Sequence, residues 1–443
     1  MEKNAKLSKS LLLNVILFGF IGQVAWAVEN NFFNLYLFNV VRGDSNDISN
    51  MVAASSVVAV FATLLMGSLS DKINKRKVFL CTGYILWGFT VMSFAFINRE
   101  NVASILNTTP VAATAATVSL VIIMDCVMTF MGSTSNDAAF NAWITDITSP
   151  SNRAKVESLL AILPVLAMVV VTVAFGALSA KFGYPACFIG LGLIVTVCGI
   201  IGIFSVKDSL SGVKSTNSFW ECLTYGFRPS VIKENKGLYI ALACTCIFSI
   251  ACQIFFPYLF IYVDHYIDMS TLKLTVPTII LAVLVIGVSL TVLVASIILS
   301  DKKGKIPFLF PAAIFFVVGL ALVYFADSNI IWFALSAVIA MAGYGLLMIL
   351  INAAVRDFTP EDKAGQLQGV RMIFNVMIPM LIGPRIAAKI TETFSTQYYE
   401  EFGEATLIPA PHIYLGAAIV GALIIIPLFF LVKEFKKEQA ENK

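Results

Sequence analysis

Charged side chains are scarce in this chain. Asp, Glu, Lys and Arg make up 13% of its 443 residues, whereas about 25% is usual for a soluble domain. Hydrophobic residues make up 58%, and the mean hydropathy is +0.87. A surface so poor in charge faces something other than water over most of its area. The composition therefore excludes a soluble protein and indicates one embedded in a lipid bilayer.

Patterns for metal, cofactor or catalytic chemistry are also missing. The sequence has two histidines, His265 and His412, and contains no H-E-x-x-H motif, no Walker loop and no His cluster. Seven of the eight cysteines lie in apolar segments and none shows C-x-x-C spacing, so we interpret them as small core residues. We expect no enzyme activity, cofactor, metal site or nucleic-acid partner.

The N-terminus has some features of a secretory signal peptide. Three lysines precede the apolar run 11–22, and Ala25-Trp26-Ala27 has the pattern of a cleavage site. Apolar character resumes at once over 32–38. The stretch therefore predicts a first membrane span that the mature protein keeps.

Apolar segments near the ~20 residues needed to cross a bilayer recur along the whole chain. They predict twelve spans, numbered 1 to 12, at 10–41, 50–70, 78–97, 111–141, 156–180, 185–206, 237–263, 274–299, 306–325, 330–354, 367–390 and 411–432. The predicted fold class is an all-α membrane protein of two six-helix bundles. We expect the N-terminal bundle at 1–206, a cytoplasmic linker at 207–236, and the C-terminal bundle with a short tail at 237–443.

The distribution of Lys and Arg predicts the orientation. Of the 30 basic residues, 23 fall in the even-numbered connections and the two termini, and four fall in the odd-numbered connections. Short loops rich in Lys and Arg stay in the cytoplasm. We therefore expect a multi-pass protein of the cell membrane with both termini cytoplasmic.

Two polar phrases occur twice, half a chain apart. NAWITDITSPSNRAK begins at Asn141 after span 4, and NAAVRDFTPEDKAG begins at Asn352 after span 10. GSLSDKINKRK begins at Gly67 after span 2, and ILSDKKGK begins at Ile298 after span 8. Two matches, each about half a chain apart, predict that the second six spans repeat the first six.

The phrase after span 2 resembles the G-x-x-x-D-R/K-x-G-R/K-R/K signature of the major facilitator superfamily. Gly67, Asp71 and Arg76 match it, and Asn74 stands where the family prefers Gly. With the twelve spans and the six-plus-six division, the resemblance covers the entire chain. It implies the major facilitator fold and a secondary active transporter that works by alternating access.

The stretch DAAFNAWITDITSPSNRAK resembles the end of helix 4 in the glycoside–pentoside–hexuronide:cation symporters. In that branch an acid or amide, followed three residues later by an aromatic, contributes to sugar binding, and an Arg ends the loop. Asp137, Phe140 and Arg153 occupy these positions. The resemblance implies a solute of the sugar or glycoside class, and a substrate-binding role for Asp137.

The chain departs from that branch in two places. Ala59 and Thr63 replace the acids of helix 2 that hold a coupling cation, and Gln23 replaces a sugar-binding acid of helix 1. The change in helix 2 favours a proton over sodium as the coupling ion, and the change at Gln23 concerns the class of sugar that is bound.

Span 1 carries polar residues at helical spacing. Gln23, Trp26, Asn30 and Asn34 recur at steps of three and four, which predicts one shared helix face. Amides can hydrogen-bond a sugar, and an indole can cover its ring. In the superfamily, helices 1, 4, 7 and 10 line the cavity, so we expect a substrate-binding face; the alternative is amides that hold neighbouring helices together.

Two acids are candidates for ion coupling. Glu29 lies in the outer half of span 1, where a proton can be loaded from outside, and Asp125 lies near the middle of span 4. Ionisable residues inside a membrane mark functional sites by default. The alternatives are a static ion pair of Glu29 with Arg385 or Lys389, and a structural hydrogen bond for Asp125.

The sequence predicts further residues for substrate binding, charge pairing and gating. Asn141 and Gln253 are expected to join the substrate site, and Arg371 and Arg385 of span 11 are expected to pair with Asp137 or Glu29 in one conformation only. The cytoplasmic clusters are expected to gate the inner side, although basic charge there also serves orientation alone. The predicted gating residues are Gly67, Asp71, Arg76, Asp146, Arg153, Asp301, Asp357 and Lys363.

The partners expected from the sequence are a small polar solute and a proton, with the protein acting as a monomer in the bilayer. A drug:proton antiporter or a carrier of amphipathic, lipid-like solutes is the alternative. Drug antiporters carry a G-x-x-x-G-P-x-x-G-G-like stretch in helix 5, whereas span 5 reads AILPVLAMVVVTVAFGA. A non-transporting sensor is disfavoured, because the tail KEFKKEQAENK is too short for a signalling domain.

Overall fold

A computed structural model describes the chain at residues 9–73, 75–148, 150–208, 220, 224–268, 270, 272, 280–281, 283–285, 287–289, 291–292, 294–296, 304–360, 363, 366–401 and 404–441. Within these residues, ten helices are long and apolar enough to cross a membrane. One of them, Ile162–Ser205, contains two predicted spans, divided at Gly183 with φ 77° and ψ 164°. The all-α membrane fold predicted from sequence is confirmed. Half of the residues of predicted span 8, 274–299, lie outside the described residues.

The helices follow the predicted spans closely. In chain order they are α1 (Lys9–Val41), α2 (Ser45–Ile73), α3 (Arg76–Phe96), α4 (Arg99–Leu106), α5 (Thr114–Ile147), α6 (Pro150–Val170), α7 (Gly176–Ser205), α8 (Pro229–Glu234), α9 (Lys236–His265), α10 (Ile306–Ala326), α11 (Ile330–Asp357), α12 (Gln368–Phe394), α13 (His412–Ala422) and α14 (Ile425–Glu441). Part of a shorter apolar helix, Val283–Ser296, lies between α9 and α10. A hairpin of β1 (Tyr398–Glu401) and β2 (Glu404–Leu407) follows α12.

The chain divides into two compact units. Unit 1 comprises Met1–Gly43 and Ala54–Glu221, and unit 2 comprises Asp44–Ala53 and Cys222–Lys443. The segment Asp44–Ala53 belongs to unit 2 because its backbone and side chains bond there: Tyr258 donates to the Ser45 carbonyl at 2.8 Å, and Asn46 donates to Glu392 at 2.7 Å. The predicted linker boundaries at 207 and 236 stay a prediction.

Glycines allow close helix contacts within each unit. A Cβ built on Gly343 of α11 would lie 2.2 Å from the backbone nitrogen of Phe316 in α10. A Cβ on Gly88 of α3 would lie 2.4 Å from the Gly192 carbonyl oxygen in α7. Helices in lipid associate mainly through such close packing, because apolar burial gives little advantage there.

Widened π-helical turns interrupt four of the helical segments. They cover Glu29–Phe33 and Leu37–Val41 in α1, Ser133–Phe140 in α5, Val171–Phe175 between α6 and α7, and Ile373–Met377 in α12. Each π turn adds a residue to the turn and rotates the rest of the helix about its axis, and such turns are common at functional sites. Several of the predicted polar site residues lie in them.

Candidate functional site

A hydrogen-bond chain fixes the aromatic part of the polar face in unit 1. The Trp26 indole donates to Asn136 Oδ1 at 3.3 Å, and Asn136 Nδ2 donates to the Tyr84 hydroxyl at 2.7 Å. Tyr84 in turn donates to the Phe18 carbonyl at 2.6 Å. Trp26 is half-buried and its ring lies 5.1 Å from that of Trp87. Tyr84, which the sequence did not single out, therefore orients the Asn136–Trp26 pair.

The amides of α1 do not share one environment. Asn30 is exposed and donates to the Trp26 carbonyl at 2.8 Å, whereas Asn34 is 1% exposed and donates to the Asn30 carbonyl at 2.8 Å. Gln23 is half-buried. The π turn at Glu29–Phe33 contains Asn30 and ends just before Asn34, so the two amides are not related by the regular α-helical step on which the shared face was predicted. Asn34 therefore lies inside unit 1, away from the environment of Asn30.

Three carboxyl groups of unit 1 are each held by a hydroxyl group. Thr129 donates to Glu29 at 2.7 Å, Ser133 donates to Asp137 at 3.0 Å, and Ser55 hydrogen-bonds Asp125. Two of these hydroxyl residues belong to α5 and the third belongs to α2. Glu29 and Asp125 therefore receive their hydrogen bonds from a neighbouring helix, whereas Asp137 receives its hydrogen bond from its own helix.

Glu29 is near enough to the other two carboxyls, those of Asp125 and Asp137, to be repelled by their charges. Glu29 is 8% exposed and Asp125 is 2% exposed, and one oxygen of each is buried with no donor within the described residues. An unpaired charge in a membrane interior costs several kcal/mol. A carboxyl group can remove that cost by binding a proton, so this cluster has the chemistry of a proton carrier.

Asn141 extends the polar surface of α5 toward the end of the helix. It is exposed, and its Nδ2 donates to the Asp137 carbonyl at 3.0 Å. The residues of α5 that the sequence predicts for the substrate site, Asp137 and Asn141, therefore lie on consecutive turns, beginning in the π segment. Within the described residues no group of three or more His, Cys, Asp or Glu side chains could hold a metal ion.

Unit 2 contains a polar cavity of about 190 Å³ between α9, α11 and α12. Gln253, which the sequence predicted, lines it with Ser249, Asn352 and Asn375, and Ser249 donates to Asn375 at 3.4 Å. The walls are aromatic: the Tyr344 ring lies 5.4 Å from that of Phe248 and 5.6 Å from that of Phe256. Amides beside aromatic rings suit a polar solute with an apolar face.

A second cavity of about 90 Å³ adjoins the first, because Thr245, Asn352 and Asn375 line both. Arg371 lines this second cavity and is half-buried. Arg385 is exposed and donates to the Leu381 carbonyl at 3.2 Å. Within unit 2, neither guanidinium has a carboxylate partner among the residues that the structure describes.

The predicted gating residues of unit 1 form one ion cluster. Arg76 is almost fully buried; it pairs with Asp71, pairs with Asp146 at 3.1 Å and donates to Ser70 at 2.6 Å. Gly67 accepts a hydrogen bond from Ser70 at 2.9 Å on its carbonyl oxygen. The cluster joins the connection after α2 to the end of α5.

Unit 2 repeats the arrangement at the equivalent place. Lys305 pairs with Asp357, and Lys363 pairs with Glu234 at 3.5 Å. In unit 1, Arg76 of the phrase that begins at Gly67 pairs with Asp146 of the phrase that begins at Asn141. In unit 2, Lys305 of the phrase that begins at Ile298 pairs with Asp357 of the phrase that begins at Asn352. The sequence did not single out Ser70, Lys305 or Glu234. Asp301 and the side chain of Arg153 lie outside the described residues.

Comparisons with known proteins agree on the fold. The family model described as Major Facilitator Superfamily matches residues 15–384 and 271–443. No curated protein matches the sequence. The nucleoside transporter NupG is 16% identical with a TM-score of 0.64, covering 96% of this chain and 98% of NupG.

Two further solved structures have the same fold. The inward-open xylose transporter XylE from E. coli is 12% identical with a TM-score of 0.62, covering 95% of both chains. A bacterial homologue of the human lysosomal transporter Spinster, inward-facing and unoccupied, is 12% identical with a TM-score of 0.59, covering 97% of this chain and 98% of the homologue. At these identities the likeness concerns the fold.

Proposed function

The chain belongs to the major facilitator superfamily, and from that membership we propose a proton-coupled symporter of a sugar or glycoside-like solute that works by alternating access. Members of this superfamily are multi-pass membrane proteins that carry small solutes across the bilayer. The proposal adds the coupling ion, the solute class, a cell-membrane location and cytoplasmic termini.

The carboxyl cluster of unit 1 is the observation that carries the proposal. Glu29 experiences the charges of Asp125 and Asp137, and each of the three acids is hydrogen-bonded to a hydroxyl group. Among the residues that the structure describes, none of the three pairs with a Lys or Arg. Carboxyl groups without a cation can take up and release protons. Sodium is disfavoured as the coupling ion because Ala59 and Thr63 occupy the helix-2 positions where the related symporters carry acids.

The amide and aromatic side chains support a polar, uncharged solute. Unit 1 offers Trp26, Asn30 and Asp137, and unit 2 offers Gln253 and Asn375 in its cavity. Amides supply both donors and acceptors for hydroxyl groups. Flat rings beside them can cover the C–H face of a sugar. We assign substrate binding to these groups, and ion coupling to Glu29 and Asp125.

Solute exchange in proteoliposomes tests the proposal. Vesicles loaded with one unlabelled solute are diluted into trace radiolabel of the same solute, using a panel of alkyl glycosides, pentoses including xylose, nucleosides, lipophilic cations and lysolipids. We expect counterflow for at least one glycoside or pentose. Exchange of lipophilic cations or lysolipids alone would instead establish the drug or amphipathic-solute carrier.

The ion clusters are proposed to stabilise the closed inner side, and Arg76 gives a test. Arg76→Gln leaves Asp71 and Asp146 without their cation, so we expect slower counterflow by about 10-fold and a lower thermal midpoint. Breaking a buried pair costs about 3–5 kcal/mol, and the partial exposure of Asp71 reduces that loss. Lys75→Gln, which removes the same charge from the exposed neighbouring residue, is the matched control. Equal behaviour of the two variants would contradict a gating role.

A further inference from the structure

Unit 2 contains a cavity of about 350 Å³ that the transport site does not use. It lies where three connections meet: the end of α9, the turn between α10 and α11, and the segments before and after the hairpin. This end of α10 and α11 is the one opposite Lys305 and Asp357. The side chains that matter here are five rings and one carboxylate, those of Tyr266, Tyr324, Phe325, Phe394, His412 and Asp327.

Asp327 adopts a backbone conformation that suits glycine. Its φ is 49° and its ψ is −133°, and it follows Ala326 in a tight turn closed by the Asn329 N–H to the Ala326 carbonyl at 3.2 Å. A non-glycine residue in such a region costs about 1–3 kcal/mol. The turn itself would therefore be more stable with Gly, so turn stability does not account for an aspartate here.

Two tyrosines of the α9 end hold this aspartate in place. Tyr266 donates to Asp327 Oδ1 at 2.5 Å, and Tyr262 donates to the Asp327 carbonyl at 3.1 Å. The two tyrosine rings stack at 4.8 Å and 14°. Among the described residues Oδ2 of Asp327 has no donor, and Asp327 is exposed. One carboxylate oxygen thus remains available to a ligand.

Aromatic rings line the same cavity as that carboxylate. The Tyr324 ring lies 5.1 Å from Phe325 and 5.2 Å from His412, and His412 stacks on Phe394 at 4.7 Å and 10°. Ring faces attract a cation within about 6 Å of their centroids. A carboxylate beside several rings is therefore a binding geometry for an organic cation.

The cavity lining and the chain segments next to it carry acidic residues, which suits a cationic ligand. Within the described residues that line the cavity, none is Lys or Arg. The acids at the end of α9, just after it and in the hairpin are exposed or half-buried: Asp264, Asp268, Glu400, Glu401 and Glu404. A field of one sign raises the local concentration of counter-ions. The volume also falls within the range of about 300–1,000 Å³ usual for small-molecule sites.

We propose that this cavity binds a small organic ammonium ion, with its charge between Asp327 and the rings of Tyr324 and Phe394. Ser395, Thr396 and Gln397 line the same cavity and can hydrogen-bond a hydroxyl group of the ligand. A Ca²⁺ or Mg²⁺ ion is disfavoured because such ions need several oxygen ligands, and the cavity offers one carboxylate. The site goes beyond the transport function proposed above and is independent of its solute.

Calorimetry on the purified full-length protein tests the site with choline and its neutral carbon analogue 3,3-dimethylbutan-1-ol. The two probes have nearly the same shape and differ in charge. We expect saturable choline binding, and binding of the neutral analogue at least about 10-fold weaker. No saturable choline binding, or equal binding of both probes, would overturn the proposal.

Variants at one position separate ligand binding from turn structure. Asp327→Asn keeps the side-chain shape, and Asn tolerates positive φ; Asp327→Gly relieves the backbone strain. Both are expected to weaken choline at least about 10-fold, while Asp327→Gly keeps a thermal midpoint close to that of the wild type.

Asp264→Asn removes the same charge outside the cavity and is expected to change choline affinity less than about 3-fold. Asp137→Asn, in unit 1, is expected to leave it unchanged. Choline binding that survives in Asp327→Gly, or that is lost in Asp137→Asn instead, would place the cation elsewhere and refute this site.

Discussion

Asp137→Asn is expected to reduce solute counterflow by about 10- to 150-fold while folded protein remains in the membrane. The range corresponds to the loss of a hydrogen bond to a charged acceptor, about 1.5–3 kcal/mol. Asn keeps the size of Asp and can still accept the 3.0 Å hydrogen bond from Ser133, so the fold should persist. Radiolabelled counterflow in proteoliposomes measures the effect.

The matched control is Asp264→Asn, the same chemical change at an exposed residue of the α9 end. It should leave counterflow near the wild-type rate. If Asp137→Asn transports at the wild-type rate with a glycoside that the wild type exchanges, Asp137 is not a substrate ligand.

Glu29→Gln is expected to abolish uphill accumulation driven by an inward proton gradient and to keep counterflow within about 3-fold of the wild type. Gln can accept the 2.7 Å hydrogen bond from Thr129, but it cannot release a proton. Counterflow needs solute exchange alone, whereas accumulation needs a proton to move with the solute. Parallel measurements of both on one vesicle preparation separate the two steps.

Glu100→Gln, at an exposed residue of α4, is the control for this change. Asp125→Asn is the informative companion, because Asp125 is the second coupling candidate. Normal accumulation in Glu29→Gln together with its loss in Asp125→Asn would move the coupling group to Asp125.

The membrane helices were largely predictable because their signal is local. A run of about 20 apolar residues determines a span regardless of its packing partners, and α10, predicted at 306–325, is observed at Ile306–Ala326. The polar loops were less predictable. The helix Arg99–Leu106 depends on Asn98, whose side chain accepts from the Asn101 N–H at 2.8 Å, and the hairpin depends on pairing between Tyr398 and Leu407.

The residue types of the site were predictable, but their arrangement was not. Glu29, Asp125 and Asp137 stand out because charge in a span is rare. Their hydroxyl partners come from packing: Ser55 reaches Asp125 from another helix, and no spacing in the sequence indicates it. Tyr84 was missed because an aromatic residue in an apolar span gives no sign of its hydrogen bonds.

Helical periodicity failed where the helices widen. The steps of three and four predicted a common face for Asn30 and Asn34, but Asn30, in the π turn at Glu29–Phe33, is exposed, whereas Asn34 is buried. The ion pairs, in contrast, form between residues of the phrases that the sequence repeats. The repeated phrases contain Arg76 and Asp146, which pair in unit 1, and Lys305 and Asp357, which form the equivalent pair in unit 2.

Proton movement during solute entry tests the central claim most directly. Proteoliposomes in a weakly buffered medium receive the solute identified by counterflow, with potassium and valinomycin present to dissipate charge, and a pH electrode records the outside. Solute addition should make the medium alkaline in the wild type and should give no change in Glu29→Gln. Solute entry at the full rate without any alkalinisation in the wild type would contradict proton coupling through the carboxyl cluster of unit 1.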